Sequence, residues 1–166
     1  MDRWHLAQMN VGTLLGDMGD PTVQPFFDAL AGVNALAEAS EGFVWRLKDE
    51  GSGNATSIAV ASDPRFVVNM SVWESAEALF DFVYRSAHTA IMAQRRQFFA
   101  KAPEGRAYQV LWWVPEGSAP TVNDGLAKLW HLDRFGPTPL AFTFKQRYPA
   151  PEPAVEDDTR PRLAEA

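Results

Sequence analysis

A chain of 166 residues and 18.4 kDa has the length of one domain and enough material for a sizeable core. Its formal net charge of −6, with no concentrated basic stripe, excludes nucleic acid as the main partner. The lack of cysteine excludes disulfides, thiolate metal sites and a cysteine nucleophile together. Hydrophobic residues make up 46%, and the 6 Trp and 11 Phe call for a wide core, an apolar ligand cavity or a buried subunit interface. The N-terminus "MDRWHLAQMNVG" lacks the basic-then-apolar design of a signal peptide. No apolar run approaches the roughly 18 residues of a membrane span. A cytoplasmic protein with no membrane partner is expected.

In chain order, Trp4 to Leu14 reads as a first strand, broken by "GDMGDPT". Asp20 or Thr22 can cap the helix "VQPFFDALAGVNALAEAS", in which Phe26, Leu30, Val33 and Ala37 share one face with Asn34 at its edge. "GFVWRLKD" and "RFVVNMSVWE" read as two strands joined by the loop "EGSGNATS". Ser75 caps a second helix expected to run unbroken to about Ala102 and to stop at Pro103 and Gly105. A fourth strand spans Ala107 to Val114, and a third helix starts at Pro120-Thr121 and ends at Gly136-Pro137. "LAFTFKQRY" reads as a last strand. One domain over 1–148 is expected, with a proline-rich acidic tail over 149–166 that is disordered.

The order β-α-β-β-α-β followed by α-β predicts an α+β fold. It is a ferredoxin-like antiparallel sheet with helices on one face and a C-terminal α-β extension. A sheet with one wet face should alternate cleanly, yet both parities here are apolar: Phe43, Trp45 and Leu47 against Val44, and Phe66, Val68, Met70 and Val72 against Val67 and Trp73. The second face therefore needs a cover. A second copy of the chain is the simplest one, so a homodimer is expected.

The phrase "NMSVWESAEALFDFVYRSAH" resembles the strand-turn-helix signature of the dimeric α+β barrel superfamily, in which a strand ending in Trp-Glu-Ser leads into a helix carrying a His. "LAQMNVG", "GFVWRL", "NMSVWES", "FVYRSAH", "LWWVP" and "GPTPLAFTF" together resemble the bacterial DUF3291 family, a domain of unknown function, over about Leu6 to Phe144. The superfamily includes antibiotic-biosynthesis-type monooxygenases that need no cofactor, polyketide cyclases, isomerases and haem-dependent enzymes. The resemblance implies a dimeric barrel with a pocket between sheet and helices in each subunit. It does not imply one reaction.

On a single second helix, Phe80, Val83, Ala87, Ile91 and Phe98 form the core stripe. Tyr84, His88 and Arg95 then make a polar column along its margin, while Arg85 and Arg96 point to solvent. Such a column can simply be edge residues with wet tips. If it borders a pocket, His88 is the expected acid or base, Tyr84 a donor to a substrate oxygen, and Arg95 the group that stabilises an enolate, phenolate or carboxylate. Arg46, Asn69 and Ser71 are polar residues in apolar strands and need partners or a ligand. With Asn34, Trp45 and Trp112 they complete the expected substrate-binding set; Trp112 and Trp113 must face opposite ways.

His5 is expected at the surface, and His131 is expected exposed, opposite Leu126, Leu129 and Trp130. No metal motif appears, and no cofactor is expected, although haem held by His88 as a single axial ligand would suit the aromatic content. The expected function is a small-molecule enzyme acting on an apolar, aromatic or polyketide-like substrate by oxygenation, cyclisation or isomerisation. A haem protein and a non-catalytic ligand-binding or interaction module are the alternatives.

Overall fold

The structure, a computed structural model, describes residues 3–49 and 61–152, with the side chains of His88, Ile91 and Met92 outside that description. The expected loop over 50–57 and nearly all of the acidic tail lie outside the described residues. Strands β1 (Trp4–Thr13), β2 (Phe43–Arg46), β3 (Phe66–Trp73) and β4 (Gln109–Pro115) form an antiparallel sheet in the order β2-β3-β1-β4. Helix α1 (Gln24–Glu38) connects β1 to β2. Helices α2 (Ala76–Arg85), α3 (His88–Ala93) and α4 (Arg95–Phe98) lie between β3 and β4, and α5 (Val122–Phe135) follows β4. This is the expected ferredoxin-like α+β plan with a C-terminal extension.

The period of two along each strand sends two different residue sets to the two faces. Leu6, Ser71, Trp73 and Leu111 face α1 and α2, where Leu6, Trp73 and Leu111 pack with Leu79, Phe82, Val83 and Phe142. Trp73 anchors this side: it is fully buried, stacks on Phe82 at 5.0 Å and meets the edge of Phe43 at 5.5 Å. Each such aromatic pair adds about 0.5–1.5 kcal/mol beyond area burial.

Ala7, Met9, Val68, Met70, Val72, Val110, Trp112 and Val114 face the other way, and α5 covers them with Leu129 and Leu132. Gly125 is the contact point. A Cβ there would lie 2.5 Å from Met9 Sδ, so a glycine lets the helix settle onto β1. The bare face that called for a second copy of the chain is therefore closed by the chain's own α5. This also corrects the reading of α5 itself. Its buried side runs through Gly125, Leu129 and Leu132, leaving Trp130 56% exposed. His131, expected exposed, is half-buried, with Nε2 2.9 Å from Thr138 Oγ1 and its ring 4.8 Å from Phe135.

Three further expectations change. The helix expected from Ser75 to Ala102 breaks at Ser86, whose backbone is extended (φ −107°, ψ 178°). The Ser86 hydroxyl donates to Phe82 O, and Thr89 Oγ1 donates to Val83 O at 3.2 Å. Carbonyls at the end of α2 are thus met by side chains instead of a further helical turn. The last strand reduces to two isolated bridges, Leu111 with Phe142 and Thr138 with Ala141. At α1 the N-cap is Val23, with no side-chain cap; Asp20 instead accepts from Thr22 N (2.8 Å) in the preceding turn. Ser75 does cap α2, accepting from Ala78 N at 3.1 Å. No helix among the described residues is long and apolar enough to cross a membrane.

Candidate functional site

Helix α1 buries little apart from Ala37, because its inner face looks onto a cavity rather than onto the sheet. The cavity, about 140 Å³, lies between the sheet and helices α1, α2 and α4. Phe26, Leu30 and Val33 of α1, Leu79, Phe82 and Val83 of α2, and Phe98 and Phe99 wall it. An apolar void of about 150 Å³ can hold one benzene ring, which sets the scale of what fits inside.

The floor is polar, and strand register builds it. Arg46 pairs with Ser71 and Ser71 with Gln8 in one row across the sheet. Asn69 pairs with Asn10 and Asn10 with Gln109 in the next. Gln8 Nε2 donates to Asn69 Oδ1 (2.8 Å) and Ser71 Oγ (2.9 Å), and Trp73 Nε1 donates to the same Ser71 oxygen at 2.9 Å. That network fixes the buried end of the floor. Asn69 is exposed towards the open side of the cavity.

Arg46 reaches the floor through an irregularity. Phe43 pairs with Trp73 but Trp45 pairs with Val72, so a bulge between them turns Trp45 onto the α5 face and Arg46 towards α1. Arg46 Nε donates to Glu38 Oε1 at 2.8 Å, which commits its charge to a carboxylate.

Arg95 is held differently. Its Nη2 donates to Val11 O at 2.8 Å, and its guanidinium carbon lies 4.5 Å from the Phe99 ring centre and 4.6 Å from that of Tyr108. Two aromatic faces thus fix the plane of the cation. Burial lowers the Arg95 pKa, yet an arginine remains charged at neutral pH. Among the described residues no carboxylate lies within ion-pair distance of it. Gly12 makes the seat: a Cβ there would meet Phe99 Cδ1 at 2.4 Å and Arg95 Nη2 at 3.0 Å.

Of the residues expected at the site, Asn34, Arg46, Asn69, Ser71 and Arg95 line the cavity. Trp45 and Trp112 do not, because both pack in the core beneath α5. Tyr84 does not either: it is 48% exposed and packs on Phe80 (4.7 Å) and Phe144 (5.5 Å). The expected column of Tyr84, His88 and Arg95 assumed one continuous helix. With the break at Ser86 that alignment is lost, and the His88 side chain lies outside the described residues. His5, expected at the surface, is half-buried with Nε2 4.0 Å from Glu116 Oε1.

The described lining residues include no His, Cys, Met or Tyr, the usual axial ligands of haem. The expected axial ligand, the side chain of His88, lies outside the described residues. No cluster of three metal-ligating side chains occurs among the described residues.

A family model described as "Domain of unknown function (DUF3291)" matches residues 5–164, nearly the whole chain. The chain belongs to this family. No curated protein gives a significant match. Among solved structures, a protein of unknown function from Nitrosomonas europaea is 16% identical with a TM-score of 0.43, over 71% of this chain and 94% of that one. SnoaB from Streptomyces nogalater, a cofactor-independent oxygenase, is 15% identical with a TM-score of 0.38, over 71% of this chain and 96% of that one. A monooxygenase from the ActVA-Orf6 gene of Streptomyces coelicolor, solved with nanaomycin D, is 16% identical with a TM-score of 0.38, over 70% and 90%.

For this DUF3291 chain, sequence reasoning passed over three floor residues: Gln8, Asn10 and Gln109. The signal that singled out Asn69 and Ser71, a polar side chain in an apolar strand, is present at all three. Gln8 and Asn10 also share a parity, as neighbours on one face must.

Proposed function

We propose that the protein is a small-molecule enzyme of monooxygenase-like type. Its substrate is apolar, with a ring-sized part seated between sheet and helices and an oxygen that becomes anionic during the reaction. The observation that carries this reading is Arg95. A cation clamped between two rings, hydrogen-bonded to one backbone carbonyl and without a carboxylate partner among the described residues, is free to meet negative charge arising in an apolar cavity. The amides of Asn10, Asn69 and Gln109 and the side chain of Asn34 supply neutral donors along the floor and wall.

The chemistry follows from that arrangement. A phenol or enol that binds with its oxygen towards Arg95 loses its proton more readily, because the anion is stabilised and the neutral form is not. An enolate held there can be reprotonated at another carbon, close on an internal carbonyl, or pass electrons to dioxygen. His88, at the start of α3, is the proposed proton acceptor. No cofactor is invoked for any of these routes.

The test uses p-nitrophenol, whose anion is coloured. Its pKa when bound should fall by about one unit, equivalent to about 1.4 kcal/mol of preference for the anion. The shift should vanish in Arg95→Met. Equal pKa values for bound and free probe would remove Arg95 from the role. Oxygen uptake and product mass with enolisable aromatic substrates then separate turnover from simple binding. Binding without turnover would instead mark a ligand-binding module, and a Soret band on haem addition would mark the haem alternative.

A further inference from the structure

Arg95 borders two spaces, not one. Beyond it, away from the ring-sized cavity, lies a groove lined by Arg95, Arg96, Lys101, Arg106, Phe99 and Tyr108. Arg95 and Phe99 belong to both. Among the described residues four cations line this groove and no acid does, on a chain whose formal net charge is −6. Arg106 is tied to Asp133 at 3.4 Å, but Arg96 and Lys101 are exposed and have no ion-pair partner among the described residues. Positive charge gathered in a concave, partly aromatic surface draws and orients anions from solution. Arg96 and Arg106 add guanidinium forks suited to oxyanions, and Lys101 adds a point charge.

We infer that this groove is an anion subsite. The substrate of the adjoining cavity then carries a carboxylate or phosphate group, placed so that the anion rests among Arg96, Lys101 and Arg106 while the apolar ring passes Arg95 into the cavity. This deepens the proposed function and rests on its reading of the cavity. Arg95 meets the oxygen at which the reaction occurs, and the outer cations hold a fixed charge that the reaction leaves alone. The division also explains why Arg95 is clamped and half-buried while its basic neighbours are exposed. A reacting centre needs fixed geometry, whereas a tethering charge needs only field.

The experiment measures binding of benzamide, benzoate, phenyl phosphate and inorganic phosphate to the full chain by calorimetry, at about 0.05 M and about 0.5 M salt. Benzoate or phenyl phosphate should bind about tenfold more tightly than benzamide at low salt, with most of that advantage lost at high salt. The stronger of the two tells carboxylate from phosphate. In the double variant Arg96→Gln/Lys101→Gln, with folding checked by thermal unfolding, the anionic probes should fall to the affinity of benzamide on the unaltered protein.

Equal affinities for benzamide and the anionic probes overturn the inference, and so does an advantage that survives the double variant. Inorganic phosphate separates the two levels. If it binds and is lost in the double variant while benzamide fails to bind, the groove stands and the cavity reading falls. If no probe binds, both fall.

Discussion

The two faces of one sheet solve opposite problems with the same strands. Beneath α5 the surface is dry: Met9, Met70, Val72 and Val110 have no exposed area, and Gly125 brings the helix down onto Met9. Beneath α1 the same strands present Gln8, Asn10, Asn69, Ser71 and Gln109 to a cavity. One face is filled, and the other borders the cavity in which the proposed substrate sits. Alternation along β1 and β3 keeps these tasks apart, since neighbouring residues cannot share a face. A substitution should therefore report which side it lies on by what it damages.

The largest expected effect is on stability, from the dry side. Leu129→Ala removes a buried side chain of α5 and should cost about 2–5 kcal/mol in denaturant unfolding. A loss below about 1 kcal/mol would mean that α5 packs loosely and the two-sided picture is wrong. Gly125→Val should come next, at about 1–3 kcal/mol, because its side chain must push Met9 or the helix aside.

On the cavity side, Ser71→Ala leaves Trp73 Nε1 without its acceptor while Gln8 keeps Asn69. A cost of about 1–3 kcal/mol is expected, together with weaker binding of phenolic probes.

A smaller effect is expected at the start of α5. Thr121→Ala removes one half of a capping box, whose other half is Asp124 accepting from Thr121 N at 2.7 Å, and should cost about 1 kcal/mol. These hydrogen bonds hold the Asp124 carboxyl below its usual value. Its folded pKa is depressed, so its contribution is present above about pH 4 and is lost as pH falls further. Unfolding between about pH 5 and about pH 2 should be less steeply acid-dependent in the Thr121 variant. An unchanged slope would mean that the backbone N–H of residue 121, which the variant keeps, holds the carboxylate without help from the hydroxyl.

Asn10→Ala should disturb the fold least and separate the two faces most sharply. It should change unfolding by about 0.5 kcal/mol or less while reducing probe affinity. Equal damage to both would show that the floor serves packing rather than a ligand.

Much of this plan is legible in the residues. The strands carry β-branched and aromatic runs, Ser75 and Thr121 announce helix starts, and Asn69 and Ser71 are out of place in an apolar strand. What stayed hidden has local causes of long reach. Two hydroxyls, on Ser86 and Thr89, end a helix whose apolar spacing continues past them. Any angle counted through that point is wrong, and for that reason Tyr84 and Arg95 parted. A bulge at Val44 reverses which of Trp45 and Arg46 meets the cavity. The apolar second face does need a cover. The cover is intramolecular, and its signature is a glycine, which a search for apolar residues does not count.

Gly12 has one more consequence. It has no side chain where α4 crosses the end of β1, and into that gap go the edge of Phe99 and one nitrogen of Arg95. A single missing methyl thus sets the depth at which the guanidinium stands. Alanine here would press on Phe99 and Arg95 and move the charge outward. The placement of the clamped guanidinium at the cavity is therefore set from a backbone position that contributes no chemistry of its own.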